Sequence, residues 1–129
     1  MAAVIVLVGL LMAPAAPAHA NPPRCVDSGH ARGCIRWEYL DPGYRAVANG
    51  SAKGPYIVNV VTVTYDAGLT EFDMPIQTIE GQAGTKFHRV RTTTPVTGGS
   101  GYQFFRAWVR VRNPDTGAVR AFPVTSHPF

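Results

Sequence analysis

From Ile35 onward, turn clusters punctuate the chain, mostly every 8 to 15 residues, among them "DPG" at Asp41–Gly43, "NGSAKGP" at Asn49–Pro55, "TGGSG" at Thr97–Gly101 and "NPDTG" at Asn113–Gly117. That spacing leaves room for short strands and none for long helices, and no extended 3.6-residue apolar period competes with it. The 13 Gly and 11 Pro of the chain serve this punctuation. The chain therefore reads as all-β. About seven strands in some hundred residues predict a small antiparallel, immunoglobulin-like sandwich, with a small β-barrel as the alternative. There are no internal repeats.

Between the turns, "IRWEYL" (Ile35 to Leu40) alternates and stops at Asp41-Pro42-Gly43, after which "YRAV" (Tyr44 to Val47) pairs back. Asn49 to Pro55 reads as a loop, although Asn49-Gly50-Ser51 also fits the glycosylation sequon. "YIVNVVTVTY" (Tyr56 to Tyr65) is β-branched and apolar on both faces, the pattern of a central strand covered on each side. "MPIQTI" (Met74 to Ile79) is held near a sheet edge by Pro75, which cannot donate to a ladder. "KFHRVRTTT" (Lys86 to Thr94) follows. "YQFFRAWVRVR" (Tyr102 to Arg112) and "AVRAFPV" (Ala118 to Val124) form a hairpin, because Pro114 and Asp115 open the turn and Gly117 supplies positive φ.

Within that hairpin, "FFRAWVRVR" sets three arginines among three large aromatics. A strand's side-chain period of two sends Phe105, Ala107, Val109 and Val111 one way, and Phe104, Arg106, Trp108, Arg110 and Arg112 the other. The first set is core. The second is the candidate ligand-binding face, carried by Arg106, Trp108, Arg110 and Arg112, since Trp and Arg suit binding hot spots and the guanidinium fork suits carboxylate, phosphate or sulfate. Arg120 and Phe122 join some face of the same ladder, and Phe87, Arg89 and Arg91 join it if "FHRVR" lies alongside. The competing reading is an ordinary solvent-facing sheet, its arginines stacked on Trp108 and Phe104 and paired with Asp66, Glu71, Asp73 and Glu80.

The N-terminus sets the compartment. Residues 1–20 have an apolar run from Ala2 to Met12 and a Pro/Ala stretch closing on Ala18-His19-Ala20, which is a secretory signal peptide with a small-x-small cleavage site. The run is well short of the roughly 20 residues of a membrane span, so none is expected after processing. No Lys or Arg precedes it, where the usual positive n-region would stand. Cleavage after Ala20 leaves a secreted chain starting at Asn21, with a loop over 21–34 closed by a Cys25–Cys34 disulfide and a single sandwich domain over 35–129. Closing that loop stabilises by about 2.7 kcal/mol in the chain-entropy account. Cys25, Asp27, His30 and Cys34 could instead ligate a metal, but their spacing matches no familiar zinc pattern and an oxidising compartment removes the thiolates, so no metal is expected.

All 12 Lys and Arg and all 8 Asp and Glu follow Ala20, giving 12 − 8 = +4, a balance that favours anionic partners only weakly. His30, His88 and His127 sit in no motif that names a mechanism, and there is no G-x-S-x-G elbow, H-E-x-x-H pair or phosphate loop. Glu71 and Asp73 lie on one side of an extended segment, which by itself says nothing about acid/base work. No catalytic residue and no cofactor are assigned. The stretch from Tyr56 to Arg112, with "VTVTYD", a proline-bearing strand and a glycine-rich turn before the next strand, loosely resembles the exported sandwich domains of the mycobacterial MmpS type, which accompany lipid transporters. It departs from them in lacking a second cysteine pair and a retained anchor, and no residue role is carried over.

The expectation is a secreted binding module whose partner is a protein or an anionic cell-envelope polymer; the exported route disfavours nucleic acid. The alternatives are a small secreted hydrolase, with His88 or His127 gathered to an acid and a hydroxyl, and a structural or accessory envelope protein. Intact-mass measurement of the secreted protein will give a chain starting at Asn21. Alkylation will label no cysteine before reduction and both after it; free thiols on the native protein would exclude the disulfide.

Overall fold

The structure, a computed structural model, describes residues 19–67, 73–80, 85–97 and 103–129. The nine strands among them are β1 (His19–Ala20), β2 (Arg24–Asp27), β3 (Ala31–Leu40), β4 (Gly43–Ala52), β5 (Ile57–Ala67), β6 (Asp73–Glu80), β7 (Phe87–Arg91), β8 (Gln103–Arg112) and β9 (Val119–Thr125). All pairings are antiparallel. One sheet runs β1-β3-β4-β7, with β2 also on β3, and the other runs β6-β5-β8-β9. No ladder joins the two sheets among the described residues, so the fold is a sandwich and not a closed barrel. Seven strands from β3 on carry the fold. Hairpins stay within a sheet while β4–β5, β6–β7 and β7–β8 cross between sheets, an immunoglobulin-like Greek-key order.

Residues 1–18 of the expected signal peptide, the "TGGSG" turn from Gly98 on, and Glu71 lie outside the described residues. Cleavage after Ala20 would remove β1, which pairs His19 and Ala20 with Tyr39 and Glu38. Asn21 would keep its own tie to β3, where its Oδ1 accepts from the Trp37 amide at 2.9 Å.

The N-terminal segment is a hairpin and not a loop. Ser28, Gly29 and His30 turn the chain, the Ser28 hydroxyl accepting from the Ala31 amide and the Asp27 carboxylate from the Gly29 amide, with Gly29 at φ 86°. Strand β3 therefore begins at Ala31, four residues before the expected Ile35. Cys25 and Cys34 face each other across the β2–β3 ladder and are joined, Cα to Cα 4.1 Å.

The expected loop at Asn49 is likewise strand, since β4 runs on to Ala52. The cause lies across the core. Gly33 and Gly50 are register partners on the inward face, and a Cβ added to Gly50 would come 2.8 Å from Val109 Cγ1, while one on Gly33 would come 2.9 Å from both Val109 and Val124. Gly50 is where β4 passes closely under β8, so glycine here marks a backbone approach and not a turn.

The core fills the space between the sheets with Ala31, Ile35, Ala46, Ala48 and Val90 from one side, and Val58, Val61, Val63, Phe105, Ala107, Val109, Val111, Phe122 and Val124 from the other. Strand β5 is central, between β6 and β8, and its inner face joins the core. The β5–β8 register shifts between Val58 and Val60, so that Val58 and Val61 both point inward while Val60 and Thr62 are half-buried on the outer face. The bulge brings two valines of the apolar run inward, while on the outer face Ile57 and Thr64 are buried beside the half-buried Val60 and Thr62. Strand β6 is an edge strand, as its proline requires, and its register slips near Pro75. The buried hydroxyls are satisfied: Thr92 Oγ1 accepts from the Ala46 amide at 2.9 Å and Ser126 Oγ from the Phe105 amide at 3.0 Å.

Replacing Gly50 with alanine forces a methyl against the stiff, fully buried Val109. Gly50→Ala will therefore lower stability by about 1–3 kcal/mol, seen as a lower denaturant midpoint at unchanged slope.

Candidate functional site

The β8 alternation is as the sequence reading has it. Phe105, Ala107, Val109 and Val111 are fully buried, whereas Trp108 and Arg110 are exposed and Phe104, Arg106 and Arg112 half-exposed on the outer face. Trp108 is 40% exposed, and among the described residues no second sheet lies over it. Its ladder partners are Thr62 of β5 and Pro123 of β9. On β9, Val119 and Ala121 stand beside Arg112 and Arg110, while Phe122 turns inward beside Val109 and Arg120 lies exposed opposite Val111. Arg120 and Phe122 thus add nothing to the arginine face.

The arginines of this face are not equivalent. Arg106 lies 3.5 Å from the Asp66 carboxylate and 5.5 Å over the Phe104 ring. The acidic segment does supply a partner, through Asp66. Arg110 and Arg112 make no ion pair among the described residues, so the row has one anchored guanidinium and two free ones on either side of an exposed indole.

Phe87, Arg89 and Arg91 do not join this face. Strand β7 pairs with β4 in the other sheet, and its alternation puts these three on that sheet's outer surface. There they meet a second basic cluster that the sequence reading did not assemble. In successive cross-strand rows, Arg32, Ser51 and Phe87 are neighbours, then Cys34, Asn49 and Arg89, then Arg36, Val47 and Arg91, then Glu38 and Arg45. Glu38 is buried and holds Arg36 through Oε2 and Arg91 through Oε1, both at 3.2 Å. The short β4 side chains lie between long ones on β3 and β7, which leaves a cleft of about 230 Å³ lined by Pro23, Cys34, Arg36, Val47, Asn49 and Arg89. The missing signal was partnership: alternation alone puts Arg32, Arg36 and Glu38 on one face, but nothing in the sequence says which strand "FHRVR" lies beside.

The disulfide leaves no free cysteine for a metal, and Asp27 is bound to the Lys53 ammonium. His30 packs its ring on Tyr56, centroids 4.8 Å apart. His88 is on the inward side of β7, opposite Gly50, and its Nε2 is buried with no hydrogen-bond partner among the described residues. No histidine lines the cleft. Asn49 lies mid-strand with its side chain on the cleft, not in a loop.

The chain matches no protein-family model and no curated protein.

The hydrogen bond from Lys53, with the Gly29 amide and then the Arg32 charge adding to it, holds the Asp27 carboxyl below the usual carboxylate range. A depressed folded-state value means the contact contributes above the unfolded aspartate pKa of about 3.9 and is lost as pH falls through the folded value. Lys53→Gln will move the Asp27 titration upward in an NMR pH series and leave stability at neutral pH nearly unchanged, because the pair is exposed.

Proposed function

We propose that the chain is an exported binding module that uses the outer face of β8 to hold an anionic extracellular partner, an acidic protein surface or an anionic cell-envelope polymer. The observation that carries this reading is the exposed Trp108 standing between the anchored Arg106 and, without an ion pair among the described residues, Arg110 and Arg112, on a strand whose other face is wholly core. A strand fixed on one side presents its outer side chains in set positions, so little ordering is lost on binding. The indole offers apolar area and a stacking surface, and the guanidinium groups offer paired donors at a spacing of two residues along the strand. Export is supported by the Cys25–Cys34 disulfide, a bond that persists in oxidising compartments.

Binding to polygalacturonate and to a glutamate-rich peptide tests the reading. Affinity will fall steeply from low to physiological salt, where exposed charges are screened over about 8 Å. Trp108→Ala will weaken binding about tenfold or more, and Arg110→Lys will weaken it less, because an ammonium keeps the charge but not the fork. Variants that bind both probes as the parent does would overturn the reading.

A further inference from the structure

We propose that the cleft over β4, on the sheet opposite to β8, is a site for one phosphate-class oxyanion, gripped between Arg36 of β3 and Arg89 of β7 with the Asn49 side chain beneath it. The lattice of the sheet makes the site. Neighbouring strands lie about 4.8 Å apart and successive outward residues about 7 Å apart along a strand, so two long arginines flanking a short asparagine and a valine lean over the same hollow. Val47 is only 5% exposed although it faces outward, as expected of a floor covered by arginine stems on either side. The Cys25–Cys34 disulfide fixes the Cys34 wall.

Charge balance at the cleft points to an anion. Two arginines, Arg36 and Arg89, line the cleft and no carboxylate does; Glu38, farther along β3, has both oxygens already taken, by Arg36 and Arg91. Arg89 makes no ion pair among the described residues. An unpaired guanidinium beside an apolar floor, with the spare donors of a second one across from it, concentrates counter-ions, so the cleft leaves an anion to be supplied. Arg36 keeps guanidinium donors beyond the one given to Glu38, which also fixes its plane.

Size and shape set the class. A volume of about 230 Å³ is below that of sites for whole drug-sized ligands, so the cleft takes one compact head group while the remainder projects to solvent. A planar carboxylate is satisfied by one bidentate fork. Two forks arriving from opposite walls with an amide below them suit a tetrahedral group that spreads more oxygens in three dimensions.

NMR titration of the folded chain with inorganic phosphate tests this, with glycerol 3-phosphate and a glycerol phosphodiester as parallel arms. Expected are saturable shifts at the amides of Cys34, Arg36, Asn49 and Arg89, an affinity lowered about tenfold by Arg89→Gln, and no change with Arg110→Gln on the opposite sheet. Arg89 is the residue to change because, unlike Arg36, it can be removed without stripping the buried Glu38 of a partner. Equal losses from both variants, shifts that never saturate, or an Arg89→Gln protein that binds as the parent does would each overturn the site. Binding of the monoester or diester as tight as that of phosphate assigns the ligand to an ester, and binding of phosphate alone assigns it to the free ion. Because the residues lie on the face away from Trp108, this test and that of the β8 reading fail separately.

Discussion

The sandwich closes on Val109. Fully buried on β8, its two methyl groups occupy the space that side chains at Gly33 and Gly50 would need, so the first sheet approaches the second along a line where β3 and β4 have no Cβ to offer. Dispersion falls off steeply with separation, and an inter-sheet gap of even half an ångström forfeits a sizeable part of each contact. The close approach lets small residues, Ala31, Ala46 and Ala48, face large ones, Phe105, Val111 and Phe122, with no exposed core residue among them. It also fixes the register of β8. A slip of one residue would drive Arg106, Trp108 and Arg110 into the core, so the apolar inner row is what holds the outer row in place.

Among the described residues, each outer face has a buried carboxylate, and each uses it in the same way. Asp66 is 6% exposed and Glu38 8% exposed, so neither can remain charged without a cation against it. Asp66 engages Arg106, while Glu38 engages Arg36 and Arg91. These carboxylates order some arginines and leave others in the same row free, which yields cationic surfaces with partly set geometry in place of floppy charge. Their effect on the surface is to set where the remaining guanidinium groups stand.

The features visible in the sequence were local. Alternation in "FFRAWVRVR", the Gly117 turn at φ 77° and the edge role of Pro75 all follow from a few adjacent residues, and the structure has them as read. The misreadings came from residues whose meaning is set across the core. Asn49-Gly50-Ser51 has the composition of a turn, yet Gly50 is a strand residue because Val109 lies above it. The run Val60-Val61 suggests two buried faces, yet a bulge rotates one valine inward and leaves the other outside. "FHRVR" has a legible alternation but no mark of its partner, so whether Arg89 and Arg91 join the β8 face stays open in the sequence; they belong beside β4. The second basic face was lost with them, since it exists only once three strands distant in sequence are placed side by side.

Separation of the two faces has a physical consequence of its own. Stacked sheets lie about 10 Å apart, and an arginine side chain stands off each outer surface, so guanidinium groups on opposite faces are well beyond the screening length of about 8 Å at physiological salt. The formal charge of +4 therefore does not act as one field. Near either face an approaching anion meets the local arrangement, Trp108 with Arg110 and Arg112 on one side, or Arg89 and Arg36 over Asn49 on the other. At low salt the screening length grows toward 30 Å and the faces merge into a single weakly cationic particle, so ionic strength decides whether the chain behaves as two surfaces or one.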